Sequence, residues 1–153
     1  MTIDSETSLS ETSLVVCSLQ DTFYAIESRY VKSIRPHINI TLVPGCPAFV
    51  LGVIHINGNI ESVLDLRQLL QLEKVKPHNQ QKILLFDTGT LKSGLLVDSV
   101  EDIITVAEDS LQQPLSSLPE EIKQFVSNEF TSNNRHIVVL DMEKLSSKIL
   151  GQV

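Results

Sequence analysis

The chain contains 153 residues, of which 42% are hydrophobic and 20% are charged. This composition excludes a disordered chain and is sufficient for a domain with a buried core. The net charge of −7, with no run of Lys or Arg, excludes nucleic acid and acidic lipid as general partners, because both would be repelled. No apolar run reaches the length of a membrane span, so we expect a cytoplasmic protein without direct membrane insertion.

The first part of the chain is predicted to be a polar tail followed by short strands. Residues 1–13 offer almost nothing to bury and are predicted to be a flexible N-terminal tail, whereas residues 14–150 are predicted to fold as a single domain. Strands are predicted at residues 14–19, 23–26, 31–34 and 38–43. Pro36 interrupts the third strand, and alternating apolar residues define the fourth.

The central part of the chain predicts a β-hairpin followed by a helix. A proline- and glycine-containing break at residues 44–47 precedes it. Apolar strands are predicted at residues 49–56 and 60–64. Asn57 and Gly58 between them favour a type I′ turn, because that turn needs positive φ at both central residues. Asp65 can accept hydrogen bonds from the first amides of a short helix that runs through Leu70.

The second half is predicted to repeat this plan. Strands are predicted at residues 82–87, 91–98 and 100–106, a loop at 107–119, a short helix at 119–126 and a hairpin at 130–140 around Asn133-Asn134. Asp141 then caps a final helix that ends near Leu150. Residues 63–69 and 139–145 also match, since both read Val-Leu-Asp, an apolar residue, two polar residues and Leu. We therefore predict two similar β subdomains in which a short helix follows a hairpin.

No constellation in the sequence predicts catalysis or metal binding. His37, His55, His78 and His136 do not share a metal-ligand spacing, and Gly-rich phosphate loops and Gly-x-Ser-x-Gly motifs are absent. Paired carboxylates such as Glu101-Asp102 point apart in a strand and predict solvated charge. We therefore predict a protein that is not an enzyme and uses no cofactor.

Four residues within apolar runs are assigned from their surroundings. Cys17 is predicted to be a buried hydrophobe. His55 is predicted to face solvent or a partner, because it alternates with its isoleucine neighbours. Gly52 and Gly94 lie inside strands and are predicted to mark bulges or places where backbone approaches closely, with ligand approach as the alternative.

The motifs occur in a characteristic order. Gly-Val-Ile-His-Ile-Asn-Gly at residues 52–58 precedes Val-Leu-Asp-Leu-Arg at 63–67, Gly-Leu-Leu-Val-Asp-Ser-Val at 94–100 and the closing segment 139–145. From about residue 14 to residue 150 this order and spacing resemble the CheW-like chemotaxis coupling domains. In that family the first motif usually reads Gly-Val-Ile-Asn-Leu-Arg-Gly, so Asn57 here replaces an arginine.

The resemblance implies both an architecture and a role. The implied fold is mostly β, with two small five-stranded β-barrel subdomains and short capping helices. The implied role is a non-enzymatic adaptor that couples the cytoplasmic tip of methyl-accepting chemoreceptors to the regulatory domain of the histidine kinase CheA, in membrane-associated arrays. Nucleic acid and cofactors have no part in that role.

The resemblance also implies the partner-binding residues. Val31, Ser33 and Arg35 fall on the strand that the family uses for partner contacts, and Asn57 and Gly58 fall at its receptor-facing hairpin turn. Because Arg offers a permanent charge and a fixed set of donors, its replacement by Asn57 can remove a receptor contact.

One alternative is therefore a divergent CheW-like scaffold that serves a pilus, gliding or other signalling system with one of the usual partners. Another is a small-molecule enzyme or sensor that uses the groove between the barrels.

Overall fold

The computed structural model describes residues 10–36, 39–73, 75–76, 78–112 and 118–151. This part of the chain forms ten strands: β1 Glu11–Leu19, β2 Thr22–Glu27, β3 Val31–Pro36, β4 Val50–Ile56, β5 Asn59–Asp65, β6 Lys82–Asp87, β7 Lys92–Val97, β8 Ser99–Ala107, β9 Val126–Ser132 and β10 Arg135–Leu140. It also forms three short helices: α1 Leu66–Leu69, α2 Glu120–Lys123 and α3 Met142–Leu150.

The strands form two five-stranded sheets. The terminal sheet, made from both ends of the chain, has the order β8-β1-β2-β10-β9, and the central sheet has the order β3-β6-β7-β5-β4. Neighbouring strands are antiparallel except for one parallel pair in each sheet, β2 with β10 and β5 with β7. The two-subdomain, mostly β architecture predicted from the sequence is thus present.

The prediction of closed barrels is wrong, because both sheets are open. In the described residues the outer strands of each sheet do not pair with each other to complete a ring. The segments beside β4 and β9 each form only one bridge, Thr41 to Val53 and Gln112 to Glu129. A single bridge contributes two backbone hydrogen bonds and does not substitute for a closing strand. The predicted strand at residues 38–43 is accordingly wrong over its described part.

The two sheets are permuted copies of one pattern. In the central sheet β3, β4 and β5 lead to α1 and then to β6 and β7. In the terminal sheet β8, β9 and β10 lead to α3, and β1 and β2 at the start of the chain take the places of β6 and β7. This arrangement explains the internal sequence match, because residues 63–69 and 139–145 both cover the end of a strand and the start of a helix.

The two helix starts are built in the same way. An Asp65 carboxylate oxygen accepts a hydrogen bond from the Arg67 amide at 3.0 Å. An Asp141 oxygen accepts from the amides of the second and third residues of α3, at 3.1 and 3.0 Å. The amide of each aspartate in turn donates to a phenylalanine carbonyl, Phe49 at 2.8 Å and Phe125 at 2.7 Å. Both predicted caps are confirmed, and each stabilises its helix by about 1 kcal/mol.

The main hydrophobic core lies between the two sheets. Tyr24 and Leu140 of the terminal sheet meet Phe86 and Leu95 of the central sheet, all 2% exposed or less, and Leu145 of α3 covers one end. Aliphatic side chains supply most of this core, as the low aromatic content requires. Each sheet also carries a smaller apolar cluster on its opposite face.

The predicted hairpin turns are confirmed. Asn57 and Gly58 have φ values of 51° and 81°, and Asn133 and Asn134 have values of 52° and 62°. These left-handed conformations match the right-handed twist of the flanking strands. Asparagine and glycine adopt them at least cost.

The predicted close approach at Gly52 is also confirmed. A β-bulge interrupts the pairing of β4 with β5 between Val50 and Gly52. A Cβ atom placed on Gly52 would lie 2.1 Å from the carbonyl oxygen of Thr41, which is backbone and cannot rotate away. Glycine is therefore required for the bridge between Thr41 and Val53.

The start of the fold differs from the sequence prediction. β1 begins at Glu11, so residues 11–13 of the predicted tail pair with β8. Residues 1–9, and His37 and Ile38 of the predicted fourth strand, lie outside the described residues. No helix in the described ranges combines the length and the apolar character needed to cross a membrane.

Candidate protein-binding groove

Three of the five predicted partner-binding residues lie in one groove of about 240 Å³ at an end of the central sheet. We call it the β3 groove. It is lined by residues from all five strands and the β4–β5 turn: Lys32, Ser33, Arg35, Ile56, Asn57, Asn59, Glu61, Leu85, Phe86, Asp87, Lys92 and Ser93. Ser33, Arg35 and Asn57 are the predicted residues among them. Strand pairing, not sequence proximity, therefore brings β3 and the hairpin turn to the same surface.

The remaining two predicted residues lie outside the groove lining. Val31 is half-buried and packs against the core between the sheets. Its side chain is thus partly used by the fold. Gly58 is exposed at the tip of the β4–β5 turn, and a Cβ atom there would meet nothing within 4 Å. His55 is exposed, as its alternation with Ile54 and Ile56 predicted.

The charged side chains of the β3 groove differ in whether a partner lies near them. Lys92 lies 3.7 Å from Glu61, whose side chain is only 13% exposed. Asp87 accepts a hydrogen bond from the Gly89 amide at 2.8 Å. Arg35, by contrast, donates from Nε to the Ser33 hydroxyl at 3.4 Å and has no carboxylate within 4 Å among the described residues. The groove thus presents an unneutralised guanidinium in an acidic chain.

A largely buried ion pair that the sequence did not predict joins the two halves of the fold. Arg67 of α1, 3% exposed, donates two hydrogen bonds to the Asp98 carboxylate, one of them from Nε at 3.1 Å. Its Nη1 also donates to the Glu73 carbonyl at 2.9 Å. The Gln20 amide of the β1–β2 turn donates to the same Asp98 at 2.8 Å. The sequence shows the Leu-Arg motif that contains Arg67 and the Val-Asp motif that contains Asp98. The two residues are 31 positions apart, so nothing in the sequence indicates that they are in contact.

The ionisation of Asp98 follows from these contacts. Burial alone would raise the pKa of its carboxyl, but the Arg67 fork and the Gln20 amide outweigh burial and lower the pKa below the ordinary 3.8. Hydrogen bonds to the charged form have this effect because they are lost on protonation. Asp98 is therefore a carboxylate in the folded protein.

A second groove, of about 420 Å³, lies beside this ion pair. Its lining is largely apolar: Ile40, Leu42, Leu51, Val75 and Leu96 join Asn39, Asp65, Arg67, Gln81 and Asp98. The charged groups there are engaged with one another or with backbone. They are consequently poor candidates for a general acid, a general base or a nucleophile. Within the described ranges, no group of three or more His, Cys, Asp or Glu side chains could hold a metal ion.

Comparison with known proteins places the whole fold in one family. The family model described as "CheW-like domain" matches residues 13–150. A protein named "Probable chemotaxis protein CheW" from Rhizobium etli is 29% identical over 136 residues, which cover 88% of this chain and 87% of that protein. The "Chemotaxis protein CheW" of Bacillus subtilis is 26% identical over 139 residues, covering 91% and 89%.

A solved structure agrees with these relatives. The scaffolding protein TtCheW from Thermoanaerobacter tengcongensis superimposes with a TM-score of 0.78 and 25% identity, over 86% of this chain and 89% of that one. The match extends over both sheets and includes every strand from β2 to β10, since the family model begins at residue 13 and ends at residue 150. The chain belongs to the CheW-like domain family.

Proposed function

We propose that this protein is a non-enzymatic chemotaxis adaptor that couples chemoreceptors to a CheA-type histidine kinase. Membership of the CheW-like domain family across residues 13–150 carries this proposal. The relatives named as CheW proteins support it because they match most of the length of this chain, and the TtCheW scaffolding protein supports it because it shares the fold. The finer statements below concern which surface binds which partner.

The kinase-binding surface in this proposal is β3. Ser33 and Arg35 face the β3 groove, and Lys32 and Ile34 beside them are exposed. β3 is an outer strand of its sheet, so one backbone edge is available for contacts. The regulatory domain of the kinase would contact this strand, and Val31 would support it from the core side.

The receptor-binding surface in this proposal is the β4–β5 turn. Asn57 and Gly58 hold its tip in a type I′ conformation, and Ile60, the second residue of β5, is 63% exposed. This assignment rests on the family resemblance, which implies that the bound part of the chemoreceptor is a helical hairpin at its cytoplasmic tip. An exposed aliphatic side chain beside a rigid turn suits a contact with one face of such a helix.

A non-enzymatic role is supported by how the buried polar groups are used. Arg67 and Asp98 neutralise each other, and Asp65 caps α1. In the described residues the grooves therefore combine apolar walls with charged groups that already have structural partners or that face outward. Binding of proteins needs nothing more, because affinity for each partner is multiplied when many copies assemble in an array.

The test is a pair of binding titrations with the full chain. One uses the regulatory domain of the cognate CheA, and the other uses a soluble cytoplasmic fragment of a chemoreceptor from the same cell. Saturable binding to both, with simultaneous occupancy in a three-component sedimentation experiment, is the expected result. Binding to the kinase alone would leave a single-partner scaffold, and binding to neither would refute the adaptor assignment.

The role of the turn is tested by Asn57→Arg, which restores the residue usual in the family. Arg at this exposed position adds a charge and five donors without changing the strands. We expect receptor binding to tighten at least threefold while kinase binding is unchanged. Asn133→Arg at the matching turn of the terminal sheet is the control, since it adds the same charge at an equivalent backbone position. Equal effects of the two substitutions would show that only net charge matters.

A further inference from the structure

We propose that the β3 groove binds a carboxylate side chain of a protein partner, with Arg35 as the principal anchor and Lys92 as the second cation. The inference rests on the proposed adaptor function for the presence of a protein partner. The nature of the recognised group, however, follows from the groove itself. Two independent observations support it: the permuted repeat and the local charge.

The permuted repeat shows what fills the equivalent place in the terminal sheet. There Arg135, the first residue of β10, lies over the ring of Phe23 with its guanidinium carbon 5.1 Å from the ring centre. Its Nη2 also contacts the Asp102 carboxylate of β8 at 3.1 Å. Arg135, Phe23 and Asp102 thus connect β10, β2 and β8 across one face of the sheet, and the chain closes this place with its own side chains.

Strand register identifies the corresponding residues of the central sheet. Asn59 is the first residue of β5, as Arg135 is of β10. Gly94 and Ala25 correspond, because they pair with the equivalent valines of β5 and β10. Lys92 and Phe23 each lie two residues before them, so Lys92 takes the place of Phe23.

The third correspondence comes from the outer strands. Ser33 follows a bulge in β3, and Asp102 stands at the same place beside a bulge in β8. Asn59, Lys92 and Ser33 all line the β3 groove. An arginine, an aromatic ring and a carboxylate are therefore replaced by two short polar side chains and a lysine, and the place stays open.

The cationic side chains of the open groove favour an acidic occupant. Arg35 lacks a carboxylate within 4 Å in the described part of the chain, and Lys92 is 61% exposed beside its single distant partner Glu61. A guanidinium binds a carboxylate through two parallel hydrogen bonds, which favours Asp or Glu over a neutral amide. Ile56 and Leu85 in the same groove add apolar surface for the neighbouring side chain of the partner.

The surrounding charge makes this preference specific. The whole chain carries −7, so an acidic segment is repelled by most of the surface and attracted at a site where cations outnumber carboxylates. Lys32, which also lines the groove, adds a third cation. A basic partner would be repelled by these three cations, and only the two carboxylates of the groove, Glu61 and Asp87, could attract it.

The experiment uses two peptides and does not depend on the identity of the natural partner. The ¹⁵N-labelled full chain is titrated with acetyl-Leu-Glu-Ile-Glu-Leu-amide and, separately, with the same peptide carrying Gln for Glu. We expect saturable shifts of the amides of Ser33, Asn57 and Asn59, with the Glu peptide bound at least tenfold tighter at low salt. Equal affinities, or no saturable shifts at these amides, would overturn the proposal.

Variants separate the groove from general charge effects. Arg35→Glu should weaken the Glu peptide at least tenfold, and Lys92→Gln about threefold. Lys144→Glu is the control, because it makes the same charge change on the exposed face of α3, near the helix start where an acidic residue is tolerated. If Arg35→Glu leaves the affinity of the peptide unchanged, or Lys144→Glu lowers it equally, the groove is not the site.

Two further results distinguish this inference from the proposed function. Normal peptide selectivity with no binding to kinase or receptor would refute the adaptor function but leave the carboxylate site in place. Kinase or receptor binding that is unaffected by Arg35→Glu would sustain the adaptor and refute the role of the groove. Sedimentation of the free chain tests whether a second copy of this chain occupies the groove. A dimer that Arg35→Glu abolishes would show that it does, and would overturn the assignment of the groove to a different protein.

Discussion

Arg67 and Asp98 form a largely buried ion pair, with side chains 4% and 15% exposed, that holds the central sheet to the terminal sheet. Arg67 belongs to α1, which follows β5 of the central sheet. Asp98 lies at the crossover from β7 to β8, and its amide donates to the Ser18 carbonyl of β1 at 3.0 Å. The Gln20 amide in the β1–β2 turn binds the same carboxylate. The pair therefore fixes the crossover relative to both sheets, and with it one wall of the largely apolar groove that contains both residues.

We predict that Asp98→Ala lowers the free energy of unfolding by about 3–5 kcal/mol, because it leaves the Arg67 guanidinium buried without its counter-ion. Urea unfolding followed by circular dichroism measures the change. Asp102→Ala is the matched control, since it removes the exposed partner of Arg135 and should cost less than about 1 kcal/mol. Equal losses for the two variants would show that burial of the pair contributes nothing to stability.

The same contact predicts a pH dependence of stability. The pKa of Asp98 is lower in the folded chain than its ordinary 3.8, so its contribution is complete above that value and is lost as pH falls through the folded pKa. We expect the unfolding free energies of wild type and Asp98→Asn to converge as pH falls from 5 toward 2. They are measured by urea unfolding at each pH. A constant difference over that range would mean that Asp98 does not titrate with folding.

The parts of the fold that could be predicted are those specified by local sequence. The Asp65 and Asp141 caps and the Asn57-Gly58 turn each depend on a few consecutive residues, and each formed where it was predicted. Their residue types determine backbone hydrogen bonding or φ directly, so tertiary context is not needed.

The parts that could not be predicted depend on contacts between distant residues. The Arg67–Asp98 pair and the alignment of Ser33 and Arg35 with Asn57 result from strand order, which a single sequence does not contain. The closed barrels that the resemblance implies, and the strand that the apolar alternation near Thr41 predicts, also depend on long-range pairing, and only one bridge forms at Thr41. The groove residues Lys92 and Glu61 carry no motif, and only the permuted repeat could have indicated them.

We predict that Gly52→Ala destabilises the protein by about 2 kcal/mol or more, because the new methyl group would overlap the Thr41 carbonyl and break the bridge to Val53. Thermal and urea unfolding measure the loss. Gly151→Ala is the control: its Cβ atom would lie 3.4 Å from the Ser147 carbonyl, at ordinary helical φ, and should leave stability nearly unchanged. A Gly52→Ala variant as stable as wild type would show that the Thr41 segment moves freely.

We predict that the two cysteines differ sharply in reactivity. Cys17 is fully buried, and burial, together with the nearby Glu101 and Asp98 charges, raises the pKa of its thiol to about 12. The thiolate is the reactive species, so Cys17 should stay protonated and inert at pH 8. Cys46 is exposed. Titration of the folded chain with a chromogenic disulfide should release one equivalent quickly, and a second equivalent only after unfolding in urea.

Variants assign the two thiol phases. Cys46→Ser should abolish the fast release and leave the equivalent that appears on unfolding, whereas Cys17→Ala should leave the fast release unchanged and remove the equivalent that appears on unfolding. The urea dependence of that second equivalent reports the separation of β1 from its neighbours, because Cys17 pairs with Tyr24 of β2 and with Val100 of β8. A fast reaction of Cys17 in the folded protein would mean that β1 separates from the core on the time scale of labelling, which contradicts its complete burial.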